Sequence, residues 1–227
     1  MTKQLAILQL ADSFFPSGSF TLSHGLEYLV QNKQIQNATD LQYFLQILLF
    51  NKISSCDLVA LIHSHRGTQQ HDLQLIKNAD RQLYNQTLIE KNRQIQQKSG
   101  RALLMVAQEI WQHEFLEKLQ QQTLSNQFYS LHPVVFGLVG NIAQIDEQNT
   151  ALAFTHNFIT GLLGAAIRLG IIGHIQAQKT LLELASDLQK AYQQASNLQL
   201  SQMWTCTPTI DLAQMQHQQL KTRLFAN

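Results

Sequence analysis

Apolar side chains recur along this chain at the spacing of a helix. Leu41, Phe44, Leu45, Leu48 and Leu49 fall at i, i+3, i+4, i+7 and i+8 and form one apolar stripe. Thr39, followed three residues later by Gln42, reads as a capping box at the head of that helix. Leu103, Ala107, Ile110, Trp111 and Phe115 repeat at spacings of three and four, as do Leu181, Leu184, Ala185, Leu188 and Ala191. Period-two alternation is nowhere sustained, and no Asn-Gly or Asp-Gly hairpin dipeptide occurs. The pattern predicts an all-α, single-domain bundle of about eight to ten helices. They are expected near 3–11, 22–33, 40–54, 55–66, 72–87, 89–121, 133–145, 148–172 and 179–197.

Asp12 to Ser19, with Pro16 and Gly18 as breakers, is the clearest loop. Ser196 to Pro208 is the second, and it leads into a polar tail, residues 205–227, with a helical period of its own. No internal repeat or composition shift divides the chain, so residues 1–227 are expected to form one domain. Phe158 to Ile175 is the most apolar stretch and the one to test as a membrane span. Arg168 near its middle would cost about 2.5–3.5 kcal/mol at a bilayer centre. The run also falls short of about 20 clean apolar residues. A buried helix is expected instead, with Gly161, Gly164, Ala165, Gly170 and Gly173 admitting close neighbours, and no membrane partner.

Composition narrows the function. Of 227 residues, 44% are hydrophobic and 14% charged, with a formal net charge of +1. That combination excludes a disordered chain and argues against a nucleic-acid partner, which needs a basic surplus on one face. The 34 glutamines are scattered through periodic segments, so they read as neutral helix faces. A weakly charged surface suits stable partners better than electrostatic steering. Cys56 and Cys206 lie far apart and form no C-x-x-C pair; they read as reduced thiols of a cytoplasmic protein. The apolar stretch Leu5 to Ala11, interrupted by Gln9 and stopped by Asp12, lacks the shape of a secretory signal.

Candidate chemistry is sparse. Ser23 and His24 are adjacent, and neighbours on a helix do not face each other, so they form no nucleophile–base pair. G-x-S-x-G, Walker A and G-x-G-x-x-G patterns are absent. His63 and His65, with His71 further on, are the best metal candidates, but on a helix the first two diverge. Neither a catalytic residue, a metal site nor a cofactor is expected.

What stands out is a series of segments in a fixed order. They are LQLADSFFPSGSFTLSHGLE (residues 8–27), KSGRALL (98–104), HPVVFGLVG (132–140), AAIRLG (165–170) and the ending TPTIDLAQMQHQQLKTRLFAN. In this order, along nearly the whole chain, they resemble the UreF family of urease accessory proteins. Pro16, Gly18, Gly25 and Pro133 are the structural residues of the matching segments. The resemblance implies an all-helical homodimer that bridges the UreD/UreH scaffold and the GTPase UreG, helping nickel enter apo-urease while UreG hydrolyses GTP. It implies that Arg168 faces the GTPase, where relatives often have lysine, with Glu27 and Arg101 as further candidates for that face. It assigns the tail, with Pro208, Ile210, Met215, His217, Arg223, Leu224 and Phe225, to the scaffold. That tail is expected to be loosely ordered alone and helical once docked, with Ile210, Leu212, Ala213, Met215 and Leu220 supplying apolar contact. Two rival roles are a GTPase-activating protein acting in trans on UreG through Arg168 or Arg101, and a direct nickel carrier using His63, His65 and His71.

Overall fold

The computed structural model describes residues 2–12 and 22–225, and among them every regular element is helical. Pro16 and Gly18 lie outside the described residues. The molecule is organised around a continuous helical rod: α3 (Ala38–Leu48), a π-helical stretch (Leu49–Asp57) and α4 (Leu58–Gln69). Sequence periodicity divided this rod at residue 54, whereas the observed change is one of winding, not of direction. The rod begins one residue pair earlier than Thr39: Asn37 is the N-cap, its side chain accepting from the amide of Asp40 at 3.0 Å. The Thr39–Gln42 capping box is therefore replaced by an Asn37 cap, which satisfies an orphan donor of the first turn.

Around the rod stand α1 (Lys3–Ala11), α2 (Leu26–Gln31), α5 (Leu73–Gln86), α6 (Glu90–Trp111), α7 (Glu114–Leu124), α8 (His132–Ile142), α9 (Glu147–Arg168), α10 (His174–Glu183), α11 (Ala185–Ser196) and α12 (Pro208–His217). One contiguous apolar cluster joins them, from Ala6 and Leu10 to Ile210, Ala213 and Phe225. The anticipated helix 89–121 is two helices. Gln112 is left-handed at φ 46°, and His113 Nδ1 accepts from Phe115 N at 3.2 Å to start α7. The anticipated 179–197 is likewise two, α10 and α11, meeting at Leu184. Helix α9 stops at Arg168: Gly170 adopts φ 75°, and the amides of Gly170 and Ile171 return to Ile167 and Ala166, a Schellman closure.

Helix α8 lies across α4 at close quarters because Gly137 has no side chain; the carbonyl of Leu61 occupies the place a Cβ would take. The buried Asp80 of α5 holds the turn before α8, its carboxylate accepting from the amides of Tyr129, Ser130 and Leu131 at 2.6, 3.2 and 2.9 Å. Arg66 of α4 donates twice to Glu147 of α9 and once to the Ser196 carbonyl, while Tyr192 donates to Glu147, so α4, α9 and α11 share one polar tie. The glycines of α9 behave differently from their expected role. Among the described residues, a Cβ on Gly161 or Gly164, or on Gly170 or Gly173 beyond the end of α9, would meet nothing within 4 Å, so these positions are not closely packed.

Among the described residues, two helical stretches have the length and apolarity of a membrane span, 38–69 and 147–168. Within their most apolar windows 72% and 56% of residues are buried against the chain itself. Core helices of a folded domain have the same property.

Candidate functional site: the docked tail and the cavity beneath it

The tail is the feature that the fold positions most deliberately. Residues 203–207 run along the π-helical stretch, whose altered winding leaves carbonyls available. Trp204 N donates to the Ser55 carbonyl at 3.2 Å and Cys206 N to the Asn51 carbonyl at 2.9 Å. Pro208 then opens α12 at a position where no amide is needed. Helix α12 lies on α2 and on the turn before it. Gly25, left-handed at φ 85°, makes this possible, since a side chain there would press on Ala213, Gln214 and the Ile210 carbonyl at 3.2 Å.

Tail side chains divide by face. Ile210, Ala213, Gln214, His217 and Phe225 are buried, while Leu212, Met215 and Leu224 are exposed. The expected loose tail is thus corrected: α12 is helical and docked on its own chain, because its apolar half has a ready surface in α2. Only one side of the helix remains for anything else.

Glu27 receives the end of the tail. It is 0% exposed, as is His217. His217 Nε2 lies 2.6 Å from Glu27 Oε2, and the amides of Leu224 and Phe225 donate to the same carboxylate at 2.7 and 3.3 Å. Gln31 adds a bond to the Thr222 carbonyl at 3.2 Å. Placed inside in this way, Glu27 presents no surface of its own, which moves it away from an outward-facing role. The ring of Phe225 lies under the Arg168 guanidinium, 4.4 Å from its carbon to the ring centre. Arg168 is exposed at the end of α9, and its Nε also donates to the Gly164 carbonyl at 3.3 Å.

Beneath α12 lies a cavity of about 70 Å³ walled by Ile53, Phe136, Phe154 and Phe158. Polar groups line it as well: His24, Lys52, Asp57, Gln96, His132 and Gln214. Lys52 and Asp57, about one π-turn apart in the rod, form an ion pair at 2.7 Å with side chains 15% and 2% exposed. Burial opposes the Lys52 charge, but Asp57, helped by Cys56 and Asp211, outweighs it and holds the ammonium above its ordinary pKa. Burial lowers His132 to about 4, and burial with the Lys52 charge lowers His24 to about 3. His132 Nε2, Gln96 Oε1 and Gln214 Nε2 have no protein partner. A polar cavity of this size admits a few waters, which would pair with them. The sequence hinted at these groups only through Lys52 and Asp57, two charges inside an otherwise apolar helical run.

The remaining expected residues are placed as follows. Arg101 is exposed on α6, and neighbouring Gly100 is a contact point, since a Cβ there would collide with the Ser130 carbonyl. Pro133 is buried in the first turn of α8. Arg223 and Pro208 are exposed. The histidines do not converge: His63 Nε2 pairs with the Leu198 carbonyl, His65 Nε2 with that of Ile145, and His71 stacks edge-on against Phe115. Among the described residues no group of three or more His, Cys, Asp or Glu is arranged to hold a metal ion. Cys56 and Cys206 are both free, the first buried and the second exposed. Burial, with the Asp57 charge, pushes the Cys56 thiol up to about 12.

Comparison with known proteins shows which family the chain resembles. The UreF family model matches residues 35–185. A protein of Trichodesmium erythraeum named urease accessory protein UreF is 54% identical over 227 residues, covering 100% of this chain and 98% of its own length. The protein of that name from Actinobacillus pleuropneumoniae is 27% identical over 97% of both chains. Urease accessory protein UreF 1 of Brucella melitensis is 26% identical over 98% of this chain and 92% of its own.

Proposed function

Because the chain belongs to the UreF family of urease accessory proteins, we propose that it serves urease maturation as an adaptor, holding the UreD/UreH scaffold and the GTPase UreG together while nickel enters apo-urease. It breaks no bond itself and works in the cytoplasm. The observation that carries this reading is the division of the tail. Its buried side fastens it to α2, and its other side offers Leu212, Met215 and Leu224 to a partner beside the charged Arg168. Large apolar side chains left exposed on an ordered helix suit a protein surface with which they share a groove. UreD/UreH takes the tail, and UreG takes the face that carries Arg168.

Self-association fits the surface formed by α1 and the glycines of α9. Leu5 and Leu8 of α1 are 56% and 66% exposed, and α1 packs on α9, whose Gly161 and Gly164 leave room for a close neighbour. A second copy covers this face in the homodimer.

Co-purification tests the adaptor role. The full chain should capture UreD/UreH and UreG together, whereas Arg168→Ala should lose UreG and keep the scaffold. A cell lacking the chain should accumulate folded but nickel-poor urease. Normal urease metallation in that cell would refute the proposal. Single-turnover GTP hydrolysis by UreG should proceed at the same rate with and without the chain; a rate rise abolished by Arg168→Ala would mark it instead as an activator.

A further inference from the structure

The carboxylate of Glu27 does three things at one point. It meets His217 on α12, accepts the amides of Leu224 and Phe225 beyond it, and does so with no exposure to solvent. A carboxylate has about four lone-pair sites, and this geometry fills three of them with groups of the tail. Each side therefore depends on the other. Without the tail, Glu27 would keep, among the described residues, only the weak 3.5 Å bond from Gln31 and would turn to solvent for the rest. Without Glu27, two consecutive backbone amides would lose their acceptor.

The ring that those amides position is Phe225, which is 6% exposed and lies under the Arg168 guanidinium. Arg168 is a long side chain at a helix end, and the ring and the Gly164 carbonyl are among the contacts that set its direction. We propose that Glu27 is a positioning residue: by gripping the end of the tail from inside the protein it seats Phe225 against Arg168, so that the tail surface and the Arg168 surface are presented as one unit. The binding consequence rests on the assignment of Arg168 to the GTPase face given above. The positioning itself rests on the geometry alone.

Two measurements separate these layers. The first is the Arg168 Nε–Hε resonance of the free full-length chain, which the current of the Phe225 ring displaces. Phe225→Leu should remove that displacement. Glu27→Gln retains the side chain's shape but turns an amide group toward backbone donors, and it should produce the same change together with faster exchange of the Leu224 and Phe225 amides. A Glu27→Gln chain whose Arg168 resonance and amide exchange match the wild type would overturn the proposal.

The second measurement is capture of UreG in the presence of UreD/UreH. Glu27→Gln and Phe225→Leu should each weaken it about two- to fivefold. Combined with Arg168→Ala, neither should weaken capture further, because all three act through one cation. Additive losses would overturn the proposal. Should Arg168→Ala leave capture unchanged, the GTPase-face assignment fails, and the resonance measurement alone decides whether Glu27 positions Arg168.

Discussion

A Cβ placed on Gly137 would lie 2.1 Å from the carbonyl oxygen of Leu61, inside any possible van der Waals contact. The crossing of α8 over α4 thus depends on a missing side chain at one position. Gly137→Ala should destabilise the protein by about 3 kcal/mol or more, since backbone on backbone has no flexible end to yield. Gly161→Ala, on the open face of α9, should stabilise the isolated chain by about 0.5–1 kcal/mol through helix propensity. Urea denaturation of the two variants, at a concentration where the chain is monomeric, checks both signs. The same Gly161→Ala change should weaken self-association, read by sedimentation.

The contrast between these glycines shows what periodicity conveys. Spacing alone located the rod around Leu41 to Leu49, and the segment 132–140 was conspicuous as a string of small and apolar residues. Nothing local distinguishes Gly137, where a Cβ would strike another backbone, from Gly161, where it would meet nothing among the described residues, because the difference lies in elements far away in sequence. Glu27 was legible as an unusual acid in a short motif, but its partners stand about 190 residues further on. Its burial follows from the tail's return, which no pattern of spacing records. Other features are legible in the sequence. Glu114 and Glu117 suit the first turn of a new helix, and Gly170 suits a helix end. The π-helical winding of 49–57 has no signature in spacing, since its stripe matches that of α3.

Asp80 supplies a pH-dependent prediction. Burial raises its carboxyl from 3.8 to about 7, although three amides donate to it and oppose the rise. The folded state binds this proton more tightly than the unfolded one, so its contribution to stability is fully present below pH 3.8 and is lost as pH rises through 7. Asp80→Asn should remove that dependence, so that the stability difference from wild type changes with pH between about 4 and 7. It should also cost about 2 kcal/mol, because one side of the amide would face donors instead of accepting from them. Thermal unfolding across pH, compared between the two proteins, reads both effects.

The histidines beneath the tail have the opposite sign. His132 and His24 stand at about 4 and about 3, below the ordinary 6.5. The unfolded chain takes up these protons first, so their contribution to stability is intact above pH 6.5 and falls as pH drops toward 4. Each should contribute a slope of about 1.4 kcal/mol per pH unit within that window. His132→Gln should remove one such slope and leave the other. An unchanged acid limb in the variant would show that His132 is solvated and freely titrating.

Truncation of the tail separates its two faces. Removing residues 205–227 takes away the Cys206 bond to the rod, uncovers the Gly25 turn and strips Glu27 of His217 and of two amides. The shortened chain should lose several kcal/mol of stability, since the apolar contacts of Ile210, Ala213 and Phe225 and the bonds to the Glu27 carboxylate go with it. It is therefore a poor probe of partner binding. Leu212→Asp and Met215→Asp are better ones, because both side chains point outward at 60% and 50% exposure. Each should leave the unfolding midpoint within about 0.5 kcal/mol of wild type, as exposed substitutions do. Each should at the same time weaken capture of UreD/UreH about tenfold or more, because a desolvated carboxylate would enter an apolar contact. Retained capture by both stable variants would place the scaffold contact elsewhere on the molecule.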